Sequence, residues 1–273
     1  MPENVRGFLS TNGKGGSPVD VILETKDLTK LFGDHLVINQ LNLKIMKGRF
    51  TSIIGPNGAG KTTLFNLLSG QYAPTNGAIY FQGNDITRLS VSSRTRLGMG
   101  RSFQLTNIFP ELTTIENIRL AIQAARKDFY RLFPSRKKYR MQLKEAEKLL
   151  EQVYLHGKGD VLAKNLPHGD KRKLEIAMIL ALKPKLLLLD EPTAGISIEE
   201  VPAVLSVIED LKNDPDLTIV LIEHKMDMVL HLSDHVVVLF NGELLAEGKP
   251  NEIMENERVQ RAYLGGTAFA KSG

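Results

Sequence analysis

The sequence predicts an α/β fold with a mainly parallel sheet, an antiparallel β layer and an inserted helical subdomain. Strand-like and helix-like segments alternate along most of the chain, as they do in proteins with parallel sheets. The earliest strands alternate apolar and polar residues, which is typical of half-buried antiparallel strands. The stretch from about Ile115 to Leu155 has helical spacing of its apolar residues, which indicates a helical insertion.

The first predicted elements are strands and one helix. From Val21, the segments VILETKDLTKLF and LNLKIMKG read as alternating strands. FTSIIG is a short apolar run that ends in glycine, and KTTLFNLLSG reads as a helix that Gly70 closes. GAIYFQGNDI returns to a strand and a turn.

Helices and strands alternate again after the insertion. Two of these strands are continuous apolar runs, a pattern typical of strands buried on both faces. In order, the segments are a helix KLEIAMILAL, a buried strand KLLLLDEP, a helix VPAVLSVIEDLKN, a buried strand LTIVLIEHK, and a hairpin HVVVLFNGELLAEG around Asn241 and Gly242.

Amino-acid composition excludes some kinds of functional site and disfavours others. The chain has 273 residues, 42% of them hydrophobic, enough for one large domain or two modest ones. A formal charge of +4 is too small to predict nucleic-acid binding without local clustering. The basic cluster at residues 131–140 is more typical of a solvated face than of a phosphate track. Absence of cysteine excludes disulfides and thiolate metal sites.

The sequence also predicts the organisation of the chain. No window approaches the ~20 consecutive apolar residues of a membrane span, and residues 1–20 lack the apolar core of a signal peptide, so we expect a cytoplasmic protein. Residues 1–20, rich in Gly, Ser, Asn and Pro, are expected to be a disordered leader. Residues 21–265 are expected to form a single domain, with the helical subdomain at about 105–180, before a tail at 266–273.

The segment GPNGAGKT matches the phosphate-binding pattern G-x-x-x-x-G-K-[ST] between a buried strand and a helix. Glycines let backbone N–H groups close around phosphate oxygens, and the helix N-terminus adds partial positive charge. Lys61 can reach the β- and γ-phosphates, and the Thr62 hydroxyl can ligate Mg²⁺. The alternative is a glycine-rich turn that binds nothing. The predicted nucleotide contacts here are Gly55, Pro56, Asn57, Gly58, Ala59, Gly60, Lys61, Thr62 and Thr63.

Two carboxylates follow the next buried strand. Asp190 ends LLLLD and is placed to hold the metal, and Glu191 comes directly after it. A carboxylate beside the metal-binding aspartate can orient and polarise an attacking water, which favours hydrolysis and makes Glu191 the candidate catalytic base. The alternative is that Glu191 only caps the turn that follows.

His224 ends the neighbouring buried strand, LTIVLIEHK. A lone histidine here is more often structural. Three strands that end in Gly-Lys-Thr, Asp-Glu and His at one edge favour a catalytic role for His224 at the γ-phosphate.

These residues, with Gln104 in GRSFQL, resemble the nucleotide-binding subunit of ABC transporters from about Val21 to Leu264. The resemblance implies an ATPase that uses ATP and Mg²⁺. It also implies that Gln104 touches Mg²⁺ and links the site to the membrane subunit, and that Phe32 stacks on adenine. Neither role follows from the residues alone.

The resemblance assigns the signature loop of that family to five residues: Leu166, Pro167, His168, Gly169 and Asp170. In the family this loop binds the γ-phosphate held by the other subunit of a head-to-tail dimer. Glycine permits close backbone approach, and a helix starting near residue 170 would point free N–H groups at an anion. The alternative is a helix start with no ligand.

Two residues depart from the usual Leu-Ser-Gly-Gly-Gln. Pro167 offers neither a hydroxyl nor an N–H, and Asp170 brings a negative charge. Each change is expected to weaken the contact by about 1 kcal/mol or more. Lys171 and Arg172 are candidates to offset the charge, so we predict an altered but working loop.

Four short segments resemble a particular group within the ABC transporter family. TAGIS, LIEHKMDMV, LFNGELLAEG and RVQRAYLGG resemble one ATPase subunit of branched-chain amino acid importers, which pairs with a sister or identical ATPase on the cytoplasmic face of the membrane. Urea-type importers and a lipopolysaccharide exporter share several of them. Two other readings remain: a non-transport ABC ATPase acting on nucleic acid or ribosomes, and a regulatory subunit with little turnover. No nucleic acid is expected among the partners.

Overall fold

The computed structural model describes residues 21–102, 108–126 and 136–264. The predicted leader and tail therefore lie outside the described residues. Within these ranges the strands form a four-stranded sheet and a six-stranded sheet. The strands are β1 (Val21–Phe32), β2 (His35–Met46), β3 (Phe50–Ile54), β4 (Asn76–Phe81), β5 (Asn84–Asp85), β6 (Met99–Arg101), β7 (Leu186–Asp190), β8 (Thr218–Ile222), β9 (His235–Phe240) and β10 (Glu243–Gly248).

The two sheets differ in strand direction. The four-stranded sheet has the order β2-β1-β4-β5, and each neighbouring pair is antiparallel. The six-stranded sheet has the order β10-β9-β3-β8-β7-β6, in which β10 is antiparallel to β9 and the other pairs are parallel. The predicted parallel sheet with an antiparallel layer is confirmed.

Helices connect the strands and cover the sheets. The helices are α1 (Lys61–Ser69), α2 (Val91–Leu97), α3 (Thr114–Ala125), α4 (Arg136–Gln152), α5 (His168–Leu180), α6 (Val201–Lys212), α7 (Met226–Leu232), α8 (Pro250–Met254) and α9 (Glu257–Leu264). None of the helices in the described ranges combines the length and apolarity needed to cross a membrane. Helices α3 and α4 fall in the stretch predicted to be helical; the subdomain limits at 105–180 stay a prediction.

Two features differ from the sequence expectation. Helix α5 begins at His168 instead of near Asp170, because Pro167 has extended backbone angles (φ −54°, ψ 160°) and serves as the N-cap. Helix α2 and strand β6 were not predicted. With seven and three residues, these elements are too short to show a hydrophobic period.

The central strands separate two apolar cores. Successive side chains of a strand point to opposite faces of the sheet. Leu187 and Leu189 of β7 accordingly pack into the core that includes α5 and α6. Leu186 and Leu188 pack into the core formed with α1 and the antiparallel sheet. Burial on both faces explains why β7 and β8 are continuous apolar runs.

This topology gathers three strand ends at one edge. Strands β3, β8 and β7 are neighbours and parallel. Their carboxyl ends lead directly into Gly55, Glu223 and Glu191. In open α/β sheets this edge is where ligands bind.

Buried Arg94 fixes the far end of α1. Its guanidinium donates to the carbonyls of Leu67 and Leu68, both at 2.6 Å, at the C-terminal end of the helix. It also donates to the carbonyls of Thr87 and Leu89. Burial lowers the pKa of Arg94 to about 10, so the side chain remains cationic at neutral pH and complements the negative end of the helix dipole.

Candidate active site

The loop between β3 and α1 has the geometry of an anion cradle. Gly60, the N-cap of α1, has φ 98°, in the left-handed region that favours glycine. A Cβ at this position would lie 2.7 Å from Cδ1 of Ile38. The sequence therefore needs glycine here, and the N-terminus of α1 opens onto the loop.

Lys61 lies inside this loop. Its side chain is buried, and Nζ donates to the carbonyls of Gly55 (2.7 Å) and Pro56 (3.0 Å). Burial lowers the pKa of Lys61, while the negative charges of Glu191 and Asp190 oppose that shift. The Lys61 ammonium is thus bound to the loop backbone and is close enough to the carboxylates of Asp190 and Glu191 to be stabilised by their charge.

One cleft of about 330 Å³ brings together nine of the predicted site residues, seven from the phosphate loop and its helix together with Glu191 and His224. The phosphate loop supplies one wall, and the ends of β7 and β8 supply the other. The cleft is lined by His35, Val37, Asn57, Gly58, Ala59, Gly60, Lys61, Thr62, Thr63, Glu191 and His224. Residues far apart in the chain are therefore brought together as the strand pattern predicted.

Glu191 and His224 are in direct contact in this cleft. Nε2 of His224 lies 2.9 Å from Oε1 of Glu191. Glu191 has φ 45°, a left-handed conformation that is costly for a residue with a Cβ. The backbone N–H of Glu191 donates to the carbonyl of Ile222 at the end of β8, which ties the two strand ends together.

Glu223, which was not among the predicted site residues, lies directly after β8. One carboxylate oxygen of this buried side chain accepts from the backbone N–H groups of His224 and Lys225. The other accepts from the Thr193 hydroxyl at 3.0 Å. Glu223 therefore orders the turn that carries His224, and its position next to a buried strand was the only available sequence signal.

Asp190 is buried at the end of β7 and contacts Arg101. Nη2 of Arg101 lies 3.3 Å from Oδ2 of Asp190, and Nη1 donates to Asn66 and Ser69 of α1. Burial raises the pKa of Asp190, and the Arg101 guanidinium opposes this shift. Arg101, which the sequence argument did not single out, links the carboxylate to the phosphate-loop helix.

The donor set suits Mg²⁺. Thr62 and Asp190 offer a hydroxyl and a carboxylate, the hard oxygen ligands that this ion prefers, and leave room for waters and phosphate oxygens. In the described ranges no three His, Asp or Glu side chains cluster to form a metal cage of their own. Gln104, the third predicted ligand, lies outside the described residues.

The predicted signature residues lie apart from this cleft. Leu166 is buried, whereas Pro167 and His168 are exposed. The N–H of Gly169 donates to Oε1 of Glu200 at 3.1 Å, and a Cβ on Gly169 would lie 2.9 Å from the Cβ of Glu200. A carboxylate thus caps the first turn of α5, a contact that no local pattern predicts.

The charge of Asp170 is neutralised inside the chain. Its carboxylate forms ion pairs with Lys158 and with Lys173, the latter at 2.7 Å. Lys171 and Arg172 were the predicted partners, but the ion pairs come from Lys158 and Lys173, which lie beside the buried Asp170 side chain. Burial raises the pKa of Asp170, but the hydrogen bonds from Lys158 and Lys173 outweigh it and hold the pKa below its usual range.

Phe32 is 43% exposed at the end of β1. It pairs across the hairpin with His35, which lines the cleft. The ring meets Tyr72 edge to face, with centroids 5.4 Å apart, and Nζ of Lys30 lies 4.9 Å from its centre. Tyr72 therefore supports the Phe32 ring from the side, and part of the Phe32 side chain stays exposed to solvent.

A parallel sheet with a Lys-Thr phosphate loop and an Asp-Glu pair on a neighbouring strand defines a P-loop nucleotide-binding protein. Residues 38–194 match the family described as ABC transporter, and residues 243–268 match the one described as branched-chain amino acid ATP-binding cassette transporter. The chain belongs to the ABC transporter family, as an ATP-binding subunit of the ATPase type. The predicted family, fold class and ATPase activity are confirmed.

Individual relatives agree with this assignment. The branched-chain amino acid transport ATP-binding proteins BraF of Pseudomonas aeruginosa and LivG of Escherichia coli K12 are each 39% identical over 249 residues, covering 89% of this chain and 98% of the relative. The lipopolysaccharide export ATP-binding protein LptB of Haemophilus influenzae is 33% identical over 244 residues, covering 89% and 97%. A crystal structure of an ABC transporter cassette in its ADP conformation has a TM-score of 0.78 and 30% identity, covering 90% and 99%.

The ion pairs of Asp170 predict a pH-dependent contribution to stability. The folded-state pKa lies below the unfolded value of about 3.9, so the contribution is present above roughly pH 4 and is lost as the pH falls through the folded-state pKa. Asp170→Asn should lower the free energy of unfolding at pH 7, and the difference should shrink in acid. Urea denaturation at both pH values measures this. Exposed Asp160→Asn is the control, and a D170N chain as stable as wild type at pH 7 would contradict the assignment.

Proposed function

We propose that this chain hydrolyses ATP at the Lys61–Glu191–His224 cleft to power import of branched-chain amino acids. The observation that carries the hydrolytic part is the 2.9 Å contact between Glu191 and His224 in the same cleft as Lys61. The transport part rests on the near full-length similarity to BraF and LivG.

Each residue of the cleft has a physical role in this proposal. The loop N–H groups and Lys61 hold the β- and γ-phosphates, and Phe32 stacks on adenine. Glu191 orients the attacking water and accepts its proton; its carboxylate lines the same cleft as Lys61. His224 fixes the carboxylate by its hydrogen bond and faces the γ-phosphate.

Thr62, Asp190 and Gln104 would hold Mg²⁺. When bound, the ion neutralises charge on the phosphate oxygens. The contact of Arg101 with Asp190 keeps that carboxylate turned toward the phosphate-loop helix.

The signature segment completes the site of a second subunit. In this proposal the N–H of Gly169, on the first turn of α5, faces the γ-phosphate of a partner ATPase, identical or sister, in a head-to-tail dimer. Glu200 now accepts that hydrogen bond, so the phosphate must displace a carboxylate. The pairing of Asp170 with two lysines supports a working loop, since its charge is compensated before the phosphate arrives.

The proposed surroundings are the cytoplasmic face of the membrane. The chain would bind membrane subunits there and transmit the closing and reopening of the ATPase dimer to them. A role on nucleic acid or ribosomes gains no support from the described residues.

Glu191→Gln tests the catalytic base. Turnover should fall by roughly 100-fold or more because the amide cannot accept the proton, while ATP binding is kept. Steady-state ATPase assays and nucleotide titration measure the two quantities. Glu147→Gln, an exposed change on α4, is the matched control. Unchanged hydrolysis in the E191Q chain would remove Glu191 as the base.

Gly169→Ala tests the contribution to a partner's site. The added Cβ should hold an anion away from the backbone and lower dimer ATPase activity about 10- to 100-fold, while the isolated chain keeps its nucleotide affinity. Light scattering should show less ATP-dependent dimer in an E191Q background. In the control Gly159→Ala the nearest contact is an ordinary 3.5 Å. A loss of nucleotide affinity in the isolated G169A chain would argue against a contact across subunits.

Transport assays test the cargo. Membrane vesicles with the parent chain should take up radiolabelled leucine when the external binding protein and ATP are supplied, and vesicles with the Glu191→Gln chain should not. Glu147→Gln again serves as the control. If vesicles with the Glu191→Gln chain lose urea uptake but keep leucine uptake, the chain powers a urea importer instead.

A further inference from the structure

The guanidinium of Arg172 binds three successive backbone carbonyls in the segment that carries Glu191. Nη2 donates to the carbonyl of Asp190 at 3.1 Å and to that of Glu191 at 3.2 Å. Nε donates to the carbonyl of Pro192 at 3.1 Å. The side chain is 6% exposed, so these hydrogen bonds form away from bulk water.

This segment has a conformation that needs external support. Glu191 has φ 45°, and this left-handed conformation is costly for a residue with a Cβ. Such a conformation persists only where the surroundings hold it. The carbonyl of Glu191 accepts both from Arg172 and from the N–H of Ala194. The N–H of Glu191 donates to the carbonyl of Ile222. The peptide is thereby held from both sides.

Glu175 fixes the guanidinium in turn. Its Oε2 lies 2.6 Å from Nη1 of Arg172, one turn along α5, and this side chain is only 3% exposed. A buried carboxylate compensates the buried cation and leaves Nε and Nη2 directed at the carbonyls. The planar fork of arginine suits this arrangement, whereas a lysine ammonium cannot reproduce it.

We propose that Arg172 is a positioning residue for Glu191, with Glu175 as its anchor. The inference rests on the proposed function, in which Glu191 is the base. Arg172 also lies on α5, whose first turn carries Gly169. A displacement of that turn by a partner's phosphate is therefore transmitted through one side chain to the peptide of this chain's own Glu191.

Substitution of Arg172 tests the proposal through kcat. Arg172→Met should lower kcat roughly 10- to 100-fold, because the Glu191 carboxylate loses its fixed direction. ATP affinity should change little, because Lys61 and the phosphate loop are untouched. Arg172→Lys should recover only part of the rate. Arg119→Met removes another nearly buried arginine, one that pairs with Glu116 on α3, and controls for general destabilisation. A folded R172M chain with wild-type kcat would overturn the proposal.

A double variant separates positioning of Glu191 from other effects. In an E191Q background, Arg172→Met should leave the residual rate within about twofold, since the two changes act on one group. If the residual rate falls by the factor seen in the wild-type background, Arg172 acts independently and the proposal is wrong. If E191Q alone keeps full turnover, the proposed function fails, and this inference fails with it.

Glu175→Gln provides a second route if the R172M chain does not fold. The amide keeps the shape of the anchor but removes its charge, so kcat should fall by a smaller factor with ATP affinity unchanged. A folded E175Q chain with wild-type kcat would then reject the proposed anchor and, with it, the positioning role.

Discussion

The structure depends on three adjacent parallel strands, β3, β8 and β7, that end at one edge of the six-stranded sheet. Parallel pairing forces their carboxyl ends to the same side, so a glycine-rich loop, a histidine and an acidic pair meet there. Burial on both faces makes β7 and β8 nearly continuous apolar runs, and the polar residues that line the cleft follow at the strand ends. The chemistry of the cleft is thus a consequence of sheet topology.

Buried ionic contacts connect this edge to the rest of the chain. Arg101 joins Asp190 to α1, and Arg172 joins the Glu191 segment to α5. A buried charge is costly unless it is paired and hydrogen-bonded. Arg101 donates to the Asp190 carboxylate and to side-chain oxygens of α1, and Arg172 donates to the Glu175 carboxylate and to backbone carbonyls. Each arginine therefore fixes the position of a helix relative to the end of β7. Side-chain contacts as well as strand pairing hold the site together.

The segment at residues 165–173 lies apart from the phosphate cleft of its own chain. Its first helical turn is capped by Glu200, and its acidic Asp170 is compensated by two lysines. The Glu200 carboxylate of the same chain accepts from the N–H of Gly169 at this turn, where the helix N-terminus favours negative charge. This arrangement agrees with a loop that binds the nucleotide of another subunit. It also agrees with the presence of proline, which has no hydroxyl, at position 167.

The sequence by itself determined the fold class, the phosphate loop and the placing of Glu191 and His224 at strand ends. Those features can be recognised from contiguous residues: a glycine pattern, apolar runs and the residues that follow them. Only the tertiary structure decided that Lys158 pairs with Asp170, that Glu200 caps Gly169 and that Arg172 reaches the Glu191 peptide. Such contacts join residues on different elements, so they leave no periodic trace along the chain, and side-chain direction is set by packing that spacing does not encode.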